Sequence, residues 1–226
     1  SIATVKMQRT PRPWLLPRRS DDAAIAAAAS TMTESLASHG WKASTGPLVW
    51  NRRRADLFPN WGSTRSFIIW AADLDGGTLH RDPVRDSMRY LALTAPSDHQ
   101  VMVLDQPAVL VQRTTAPEQS RRLVAAELTS DDLAARHGRV TVENHVNVLR
   151  PTLSQPTLDH ATLTKVLATR TMDQVVRAIS GSVALSAFEL ESIPMPSEDV
   201  VRDWRGLDGA DLEAAVAAAY RVGLDG

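Results

Sequence analysis

Cysteine is missing from this sequence. Disulfide bonds, thiolate metal sites and cysteine nucleophiles are therefore excluded, and a cytoplasmic location is expected. Long hydrophobic runs are also missing, since no stretch approaches the ~18 apolar residues needed to cross a bilayer, and no membrane partner is expected. The first residues, SIATVKMQRT, lack the apolar segment of a signal peptide. Because the chain begins at Ser1 rather than at methionine, we expect it to be a piece of a longer protein.

The common enzyme signatures are missing as well. There is no Gly-rich dinucleotide loop, no P-loop, no HExxH zinc motif and no GxSxG serine motif. The triplet His80-Arg81-Asp82 matches part of a kinase catalytic loop, but the other kinase motifs are absent, so we interpret the match as coincidence. Asp73-Leu74-Asp75-Gly76 matches part of a calcium loop without the closing glutamate, which favours a plain turn. No catalytic residue and no metal site is predicted.

Lysine is scarce: of 25 basic residues only Lys6, Lys42 and Lys165 are lysines. The net charge is −1, but residues 1–81 hold 11 basic and 6 acidic residues, whereas residues 197–226 hold 3 and 7. The planar fork of arginine suits bidentate contact with phosphate and guanine. High-GC codon usage also explains an arginine- and alanine-rich composition, and it is the simpler explanation of the composition alone.

The hydrophobic patterning predicts an α+β fold, with a mixed, mostly antiparallel sheet and flanking helices. Ser20 is the predicted N-cap of the first helix, and Gly40 is its predicted end. The predicted helices are 21–38, 160–179 and 208–222. The predicted strands are 47–50, 66–72, 100–104, 108–112, 123–128 and 139–149.

The first segment with functional potential is TGPLVWNRRR at residues 45–54. A short strand leads into Asn51, Arg52, Arg53 and Arg54, which could neutralise several phosphates or reach guanine edges. Consecutive side chains of an extended strand point to opposite faces, so at most two of these arginines can enter one groove. A solvated charged loop is the alternative interpretation.

A second segment follows the apolar run Val109–Val111 and carries polar residues at the end of a strand. The candidates are Arg113, Thr114, Thr115, Arg121 and Arg122. Hydroxyl and guanidinium groups together suit a phosphate backbone. The alternative is an internal ion pair between Arg113 and Glu118.

Two further segments contain small groups of candidate residues. Asn144 and His145 match part of a small nuclease motif, but the other metal ligands are missing, which favours a structural or DNA-contact role. Ser180 and Gly181 belong to a small-residue turn between a helix and the run Ile193-Pro194-Met195-Pro196. A turn of small residues lets the backbone approach a partner closely.

Taken together and in this order, the segments resemble a known family. TGPLVWNRRRADL, VLVQRTTAPEQSRRLVAA, VENHVNVLR and AISGSVALSAFELESIPMP resemble the C-terminal target recognition domain of TaqI-type adenine-specific DNA methyltransferases of restriction–modification systems. The last segment is also similar to the end of recognition domains in type I specificity subunits. The resemblance covers roughly residues 10–196 and rests on the order of the segments, because no single one is diagnostic.

The resemblance implies a domain that reads double-stranded DNA beside a separate catalytic domain. The implied divisions are an N-terminal arm (1–19), a target recognition domain (20–196) and a C-terminal helical extension (197–226). S-adenosylmethionine and the Asn-Pro-Pro-Tyr motif belong to the catalytic domain, and no Asn-Pro-Pro occurs here. This chain is therefore expected to bind DNA, with no cofactor of its own, while the parent protein methylates adenine.

The resemblance also implies which residues lie near DNA. They are Asn51, Arg52, Arg53, Arg54, Arg113, Thr114, Thr115, Arg121, Arg122, Asn144, His145, Ser180 and Gly181. Asn144 and His145 could instead orient a strand internally, and the Ser180-Gly181 turn could be purely structural. Two other functions stay open: a protein interaction or regulatory domain with an arginine-rich surface, and a small enzyme with an unfamiliar site.

Overall fold

A computed structural model describes residues 22–81, 87–115, 119–179 and 184–221. Its helices are α1 (Asp22–Thr31), α2 (Asp98–Met102), α3 (Ser130–Ala135), α4 (His160–Leu167), α5 (Arg170–Ile179), α6 (Ala187–Glu191), α7 (Glu198–Arg202) and α8 (Gly209–Ala219). Its strands are β1 (Glu34–Ser35), β2 (Trp41–Thr45), β3 (Leu57–Phe58), β4 (Arg65–Ile69), β5 (Leu74–Asp75), β6 (Thr78–Leu79), β7 (Tyr90–Ala92), β8 (Ala108–Gln112), β9 (Ala125–Leu128), β10 (Val140–Val142), β11 (Val146–Pro151) and β12 (Pro194–Met195). Short 3-10 turns occur at Trp50–Arg52, Arg54–Asp56 and Ala71–Asp73.

Two four-stranded sheets form the framework. One is antiparallel in the order β2-β11-β8-β9, and the other has the order β10-β4-β7-β3. Only the β10–β4 pair of these sheets is parallel. Residues 143–145 connect β10 of the second sheet directly to β11 of the first. The predicted α+β class with a mostly antiparallel sheet is therefore confirmed.

The central strand β8 explains how the core is divided. All five of its residues are buried, because the antiparallel sheet is covered on both faces. Val109 and Val111 pack in the larger apolar cluster with helices α1, α4, α5 and α8, whereas Ala108 and Leu110 pack in a second cluster with β4 and β10. The alternation of side chains along a strand delivers the two sets to opposite faces.

The region from 160 to 179 forms two helices rather than the single helix predicted. The Glu213 carboxylate on α8 accepts hydrogen bonds from the backbone N–H groups of Arg170 (2.6 Å) and Thr171 (3.1 Å). The Thr169 hydroxyl accepts from the N–H of Met172 at 3.2 Å. The first N–H groups of a helix have no partner within it, so this distant carboxylate stabilises a new helix start.

Four other sequence predictions differ from the structure. The single strand predicted at 139–149 forms two strands, β10 and β11, which belong to different sheets. The first helix ends at Thr31, not Ser38, because Glu34–Ser35 pairs with Pro194–Met195. Residues 100–104 were predicted as a strand from their apolar run, but α2 occupies Asp98–Met102. Residues 47–50 form a single bridge at Leu48 and then a 3-10 turn instead of a strand.

The predicted C-terminal extension contributes to the same core as the rest of the chain. Val201, Trp204, Leu212, Val216 and Tyr220 are buried in the larger cluster. The last predicted helix is present as α8, and the Asp208 side chain accepts from the N–H of Gly209 at its start. Among the described residues no helix is long and apolar enough to cross a membrane. The predicted arm at 1–19 lies outside the described residues.

Candidate nucleic-acid interface

An open cleft of about 850 Å³ lies where the two sheets meet. Residues from three of the predicted DNA-contact segments line it together: Arg54, Thr114 and His145. Trp50, Trp70 and the buried Glu143 also line it. Segments separated by up to 91 positions in the sequence therefore contribute to one surface.

The turn at 51–56 gives its arginines different environments. Arg53 points inward, where its Nε lies 2.5 Å from Asp56 Oδ2 and its two terminal nitrogens lie 3.0 and 2.9 Å from the Asp98 carboxylate. The hydrogen bond from Arg53 lowers the pKa of Asp98 to about 2, against the opposing effect of burial. The same contacts raise the pKa of Arg53. Arg53 is thus the structural link between this turn and α2.

The neighbours of Arg53 face solvent. Asn51, Arg52 and Arg54 are exposed, and the guanidinium of Arg54 lies over the Trp50 ring at 4.9 Å. Within the described ranges, no carboxylate lies within salt-bridge distance of Arg52 or Arg54. The prediction that the three arginines diverge holds here, although 3-10 turns rather than an extended strand separate them.

Arg113 and Thr114 adjoin the cleft at the end of β8. The backbone N–H of Arg113 donates to the carbonyl of His145 at 2.7 Å, and its Nη1 donates to the carbonyl of Asn144 at 3.4 Å. Arg113 is half-buried by these contacts, whereas Thr114 is exposed and lines the cleft. Glu118, the alternative partner of Arg113, lies outside the described residues.

Thr115, Arg121 and Arg122 were also predicted near DNA, but they do not line the cleft. The Arg122 Nη1 donates to the Thr115 hydroxyl inside the core, and Arg121 Nη2 donates to the Thr169 carbonyl at 2.9 Å. Asp173 Oδ1 accepts from the backbone N–H groups of Arg122 and Leu123, both at 2.6 Å. Burial lowers the pKa of Arg122. The polar groups of Thr115, Arg121 and Arg122 therefore form hydrogen bonds within the fold, near the junction of α4 and α5. Few of their donors and acceptors remain for an outside partner.

The turn between β10 and β11 is built around Glu143. This carboxylate is only 2% exposed and lies 2.9 Å from the backbone nitrogen of His145 and 2.6 Å from its Nδ1. The hydrogen bonds of the Asn144 side-chain amide are satisfied when its nitrogen faces Glu143 Oε1, at 2.7 Å. Asn144 therefore has the internal, strand-orienting position that the sequence left open, while the side chain of His145 is half-exposed in the cleft.

Backbone contacts fix this turn in place. The N–H of Asn144 donates to the carbonyl of Leu48, and the N–H of Glu143 donates to that of Ile69. A Cβ atom at Gly46 would collide with the carbonyl oxygen of Glu143, so only glycine lets the chain after β2 pass this close. The close approach brings Trp50 and Arg54 to the same cleft as His145.

Trp50, Trp70 and Glu143 were not predicted as site residues. Both tryptophans are half-buried: they pack against the small apolar cluster around Ile68 and also line the cleft, with ring centroids 6.5 Å apart. Trp70 is held by its Nε1, which donates to the carbonyl of Met88 at 3.1 Å. The signal that could have indicated Glu143 is its position directly before Asn144 and His145. Ser180 and Gly181 lie outside the described residues.

The groups that line the cleft are chemically mixed. It combines aromatic rings, an exposed guanidinium, a threonine hydroxyl and an imidazole, and the nearby Asp73 carboxylate is paired with Arg89 at 3.0 Å. No group of three or more His, Asp or Glu side chains in the described ranges is arranged to hold a metal ion. Such a set suits recognition of phosphates and base edges.

Known proteins provide little to compare. No family model matches the chain, and no curated protein matches it. Among solved structures it is similar to the HsdS subunit from Thermoanaerobacter tengcongensis, with 18% identity and a TM-score of 0.36 over 89% of this chain. The chain spans 45% of the length of that subunit. A likeness this distant transfers no residue and no role.

Proposed function

We propose that this chain is a sequence-reading domain for double-stranded DNA from an adenine-specific methyltransferase of a restriction–modification system. The observation that carries the DNA-binding part is the convergence of Arg54, Thr114 and His145 on one cleft. Their segments are remote in the sequence, and each was singled out for DNA contact from the sequence alone. The methyltransferase assignment is supported by the family resemblance of the ordered segments.

The charges beside the cleft are compatible with a DNA-binding surface. Arg52 and Arg54 are exposed beside the cleft, whereas the acids around them, Asp56, Asp98 and Asp73, are already paired with arginines. Positive charge that is not neutralised within the fold is available to phosphates, and it contributes to affinity by releasing counterions from DNA. The chain as a whole is nearly neutral, so a local excess of positive charge beside the cleft would contribute to binding DNA there.

Titration of labelled duplex DNA at several salt concentrations tests the proposal. We expect roughly micromolar affinity for the 226-residue chain, falling steeply with salt as phosphate contacts require. Selection from a duplex library with a randomised centre should then enrich a defined sequence. Affinity that does not change with salt, or a library without enrichment, would contradict a sequence-reading role and favour an interaction domain.

The catalytic partner is the second part of the proposal. S-adenosylmethionine would bind a separate domain of a cytoplasmic parent enzyme, because this sequence has no Gly-rich cofactor loop and no Asn-Pro-Pro motif. A calorimetric titration of the chain with S-adenosylmethionine should give no binding heat. A micromolar binding signal would instead support a complete enzyme.

A further inference from the structure

The Glu143–His145 pair has a chemical asymmetry that affects how the cleft can read DNA. Three groups surround the Glu143 carboxylate: the backbone N–H of His145, the Nδ1 of its ring and the Asn144 amide. An ionised carboxylate accepts hydrogen bonds and donates none. When Glu143 is ionised and the imidazole is neutral, the 2.6 Å contact places the ring proton on Nδ1.

The other ring nitrogen follows from this assignment. When Nδ1 carries the proton of a neutral ring, Nε2 has a free lone pair and acts as an acceptor. The ring lines the cleft with its side chain half-exposed. In the part of the chain that the structure describes, no hydrogen-bond partner reaches Nε2. His145 therefore presents an acceptor to whatever occupies the cleft.

We infer that His145 is a specificity-determining residue that reads the exocyclic amino group of an adenine or a cytosine through Nε2, with Glu143 as its positioning residue. The inference rests on the proposed DNA-binding function. In the major groove, the N6 amino group of adenine and the N4 amino group of cytosine are donors, whereas thymine O4 and guanine O6 and N7 are acceptors. A lone pair on Nε2 attracts the amino groups of adenine and cytosine, and it repels the acceptor atoms of thymine and guanine.

The competing role for His145 is a contact with a DNA phosphate. This role requires a different protonation state of the imidazole ring. Phosphate oxygens are acceptors, so His145 could bind one only through a protonated Nε2. The charged groups that face the ring are Glu143 in its own turn, Arg54 across the cleft, and Arg113, whose guanidinium packs on the Asn144 carbonyl. Arg54 lines the same cleft and already supplies a cation for phosphate, so a neutral acceptor adds a function that the guanidinium lacks.

The tautomer can be measured without DNA. Long-range proton–nitrogen NMR of the chain above the pH range in which histidine ordinarily titrates should show a protonated Nδ1 and a bare Nε2 for His145. In Glu143→Gln the side-chain amide can also donate to the ring, so the two tautomers should mix. A protonated Nε2 in the unaltered chain would overturn the inference, whatever the DNA experiments show.

Base analogues test the proposed contact between His145 Nε2 and a base amino group. The duplex is the one selected by the 226-residue chain. Each adenine is replaced in turn by purine without its N6 amino group, and each cytosine by 2-pyrimidinone. We expect one analogue to weaken binding by roughly fivefold to tenfold, the usual size of one lost hydrogen bond. In His145→Ala the same analogue should have almost no further effect, because the two changes remove one contact.

The pH dependence separates the two roles of His145. The affinity ratio of the unaltered chain to His145→Ala should rise with rising pH, because only the neutral ring accepts from an amine. His99→Ala, which alters an exposed histidine on α2, is the matched control and should give a flat ratio. A ratio that falls with rising pH indicates phosphate contact and overturns the inference.

The outcomes also distinguish this inference from the proposed function. If the chain binds and selects duplex DNA but no analogue effect depends on His145, the base-reading role is wrong and the DNA-binding function stands. If no duplex binds at any salt concentration, the proposed DNA-binding function is wrong. The base-reading role is then wrong as well, even if the tautomer of His145 is as expected.

Discussion

Residues 51–54 and residues 113–122 both carry closely spaced arginines, but they differ in the hydrogen-bond acceptors that the rest of the fold supplies to them. Behind the first segment, Asp98 and Asp56 bind one guanidinium, that of Arg53, and leave its neighbours exposed. Behind the second, the carbonyl of Thr169 accepts from Arg121, and the carboxylate of Asp173 holds the backbone of Arg122. The same residue type is therefore part of a surface in one place and part of the core in the other.

This contrast shows that charge density in the sequence does not determine exposure. The acceptors that draw Arg53 and Arg121 inward come from positions 45 and 48 residues away. A buried guanidinium needs such partners, since an unpaired buried charge is strongly destabilising. Within the turn at 51–56, Arg52 and Arg54 have no such acceptor among the described residues and stay exposed.

Replacing Asp173 should have the largest effect on stability. Asp173→Ala removes the acceptor of two backbone N–H groups and of the Arg177 Nε at 2.7 Å. We expect the free energy of unfolding to fall by about 3 kcal/mol, because buried donors lose their charged partner. Urea denaturation measures this, with the exposed Asp105→Ala as control. A stable variant with weakened DNA binding would place the second segment at the interface after all.

Asp98→Asn tests the corresponding acid of the first segment. The carboxylate accepts from Arg53 and from the N–H groups of Thr94 and Ala95, so we expect a loss of about 2 kcal/mol near neutral pH. DNA affinity should not fall, because Arg53 is not part of the proposed contact surface.

The pH dependence of the Asp98 effect has a definite sign. In the folded chain the pKa of Asp98 is about 2, below its ordinary value, chiefly because Arg53 donates to the carboxylate. The contribution is fully present above the ordinary aspartate pKa of about 3.9 and is lost as pH falls through the folded value. The stability difference between the unaltered chain and the variant should therefore shrink in acid, as followed by urea denaturation at several pH values. A difference independent of pH would argue against the Arg53–Asp98 pair.

Arg54 and Arg52 should differ in their effects on DNA binding. Arg54 is held over Trp50, and a fixed guanidinium is suited to a bidentate contact with one guanine. We expect Arg54→Ala to cost about 1–2 kcal/mol in affinity and to relax specificity at one base position. Arg52→Ala should weaken all sequences alike by less than about 1 kcal/mol and reduce the slope of affinity against salt.

Binding to single-base variants of the selected site separates the two arginines. Arg202→Ala, in an exposed arginine on α7, is the control and should bind like the unaltered chain. If Arg52 rather than Arg54 changed the preferred base, the assignment of base and phosphate contacts would be reversed.

The smallest expected effect is that of Arg121→Ala. The sequence suggested a phosphate contact, but the side chain donates to the Thr169 carbonyl. Loss of that hydrogen bond should reduce the free energy of unfolding by about 0.5–1 kcal/mol and leave DNA affinity unchanged. Anisotropy titrations at low salt decide this, and a uniform drop in affinity for every duplex would restore the phosphate contact.

Local patterns in the sequence were sufficient for much of the fold. The apolar run at 108–112 gives β8 with its predicted bounds, and Asp208 before an alanine-rich stretch gives α8. The α+β class follows from the same periodicities. These features are determined locally, because side-chain spacing and N-cap chemistry act within a few residues.

The sequence also identified three segments that meet at the cleft, but not which of their residues face it. Arg54, Thr114 and His145 line the cleft, whereas Arg53, Arg122 and Asn144 turn inward. Trp50 and Trp70 looked like core residues because large aromatic side chains are usually buried. Sequence spacing carries no information on these orientations, since they depend on acceptors from distant elements.

What the sequence determined by itself is therefore the type of most elements and the segments that hold the candidate site. The tertiary structure alone decided where α4 ends and α5 begins, because Glu213 of α8 supplies the acceptor for the new helix start. It also decided which arginines are available to a ligand. The physical reason is the same in both cases: a polar group must be satisfied when it is buried, and the chain's distant residues determine where that happens.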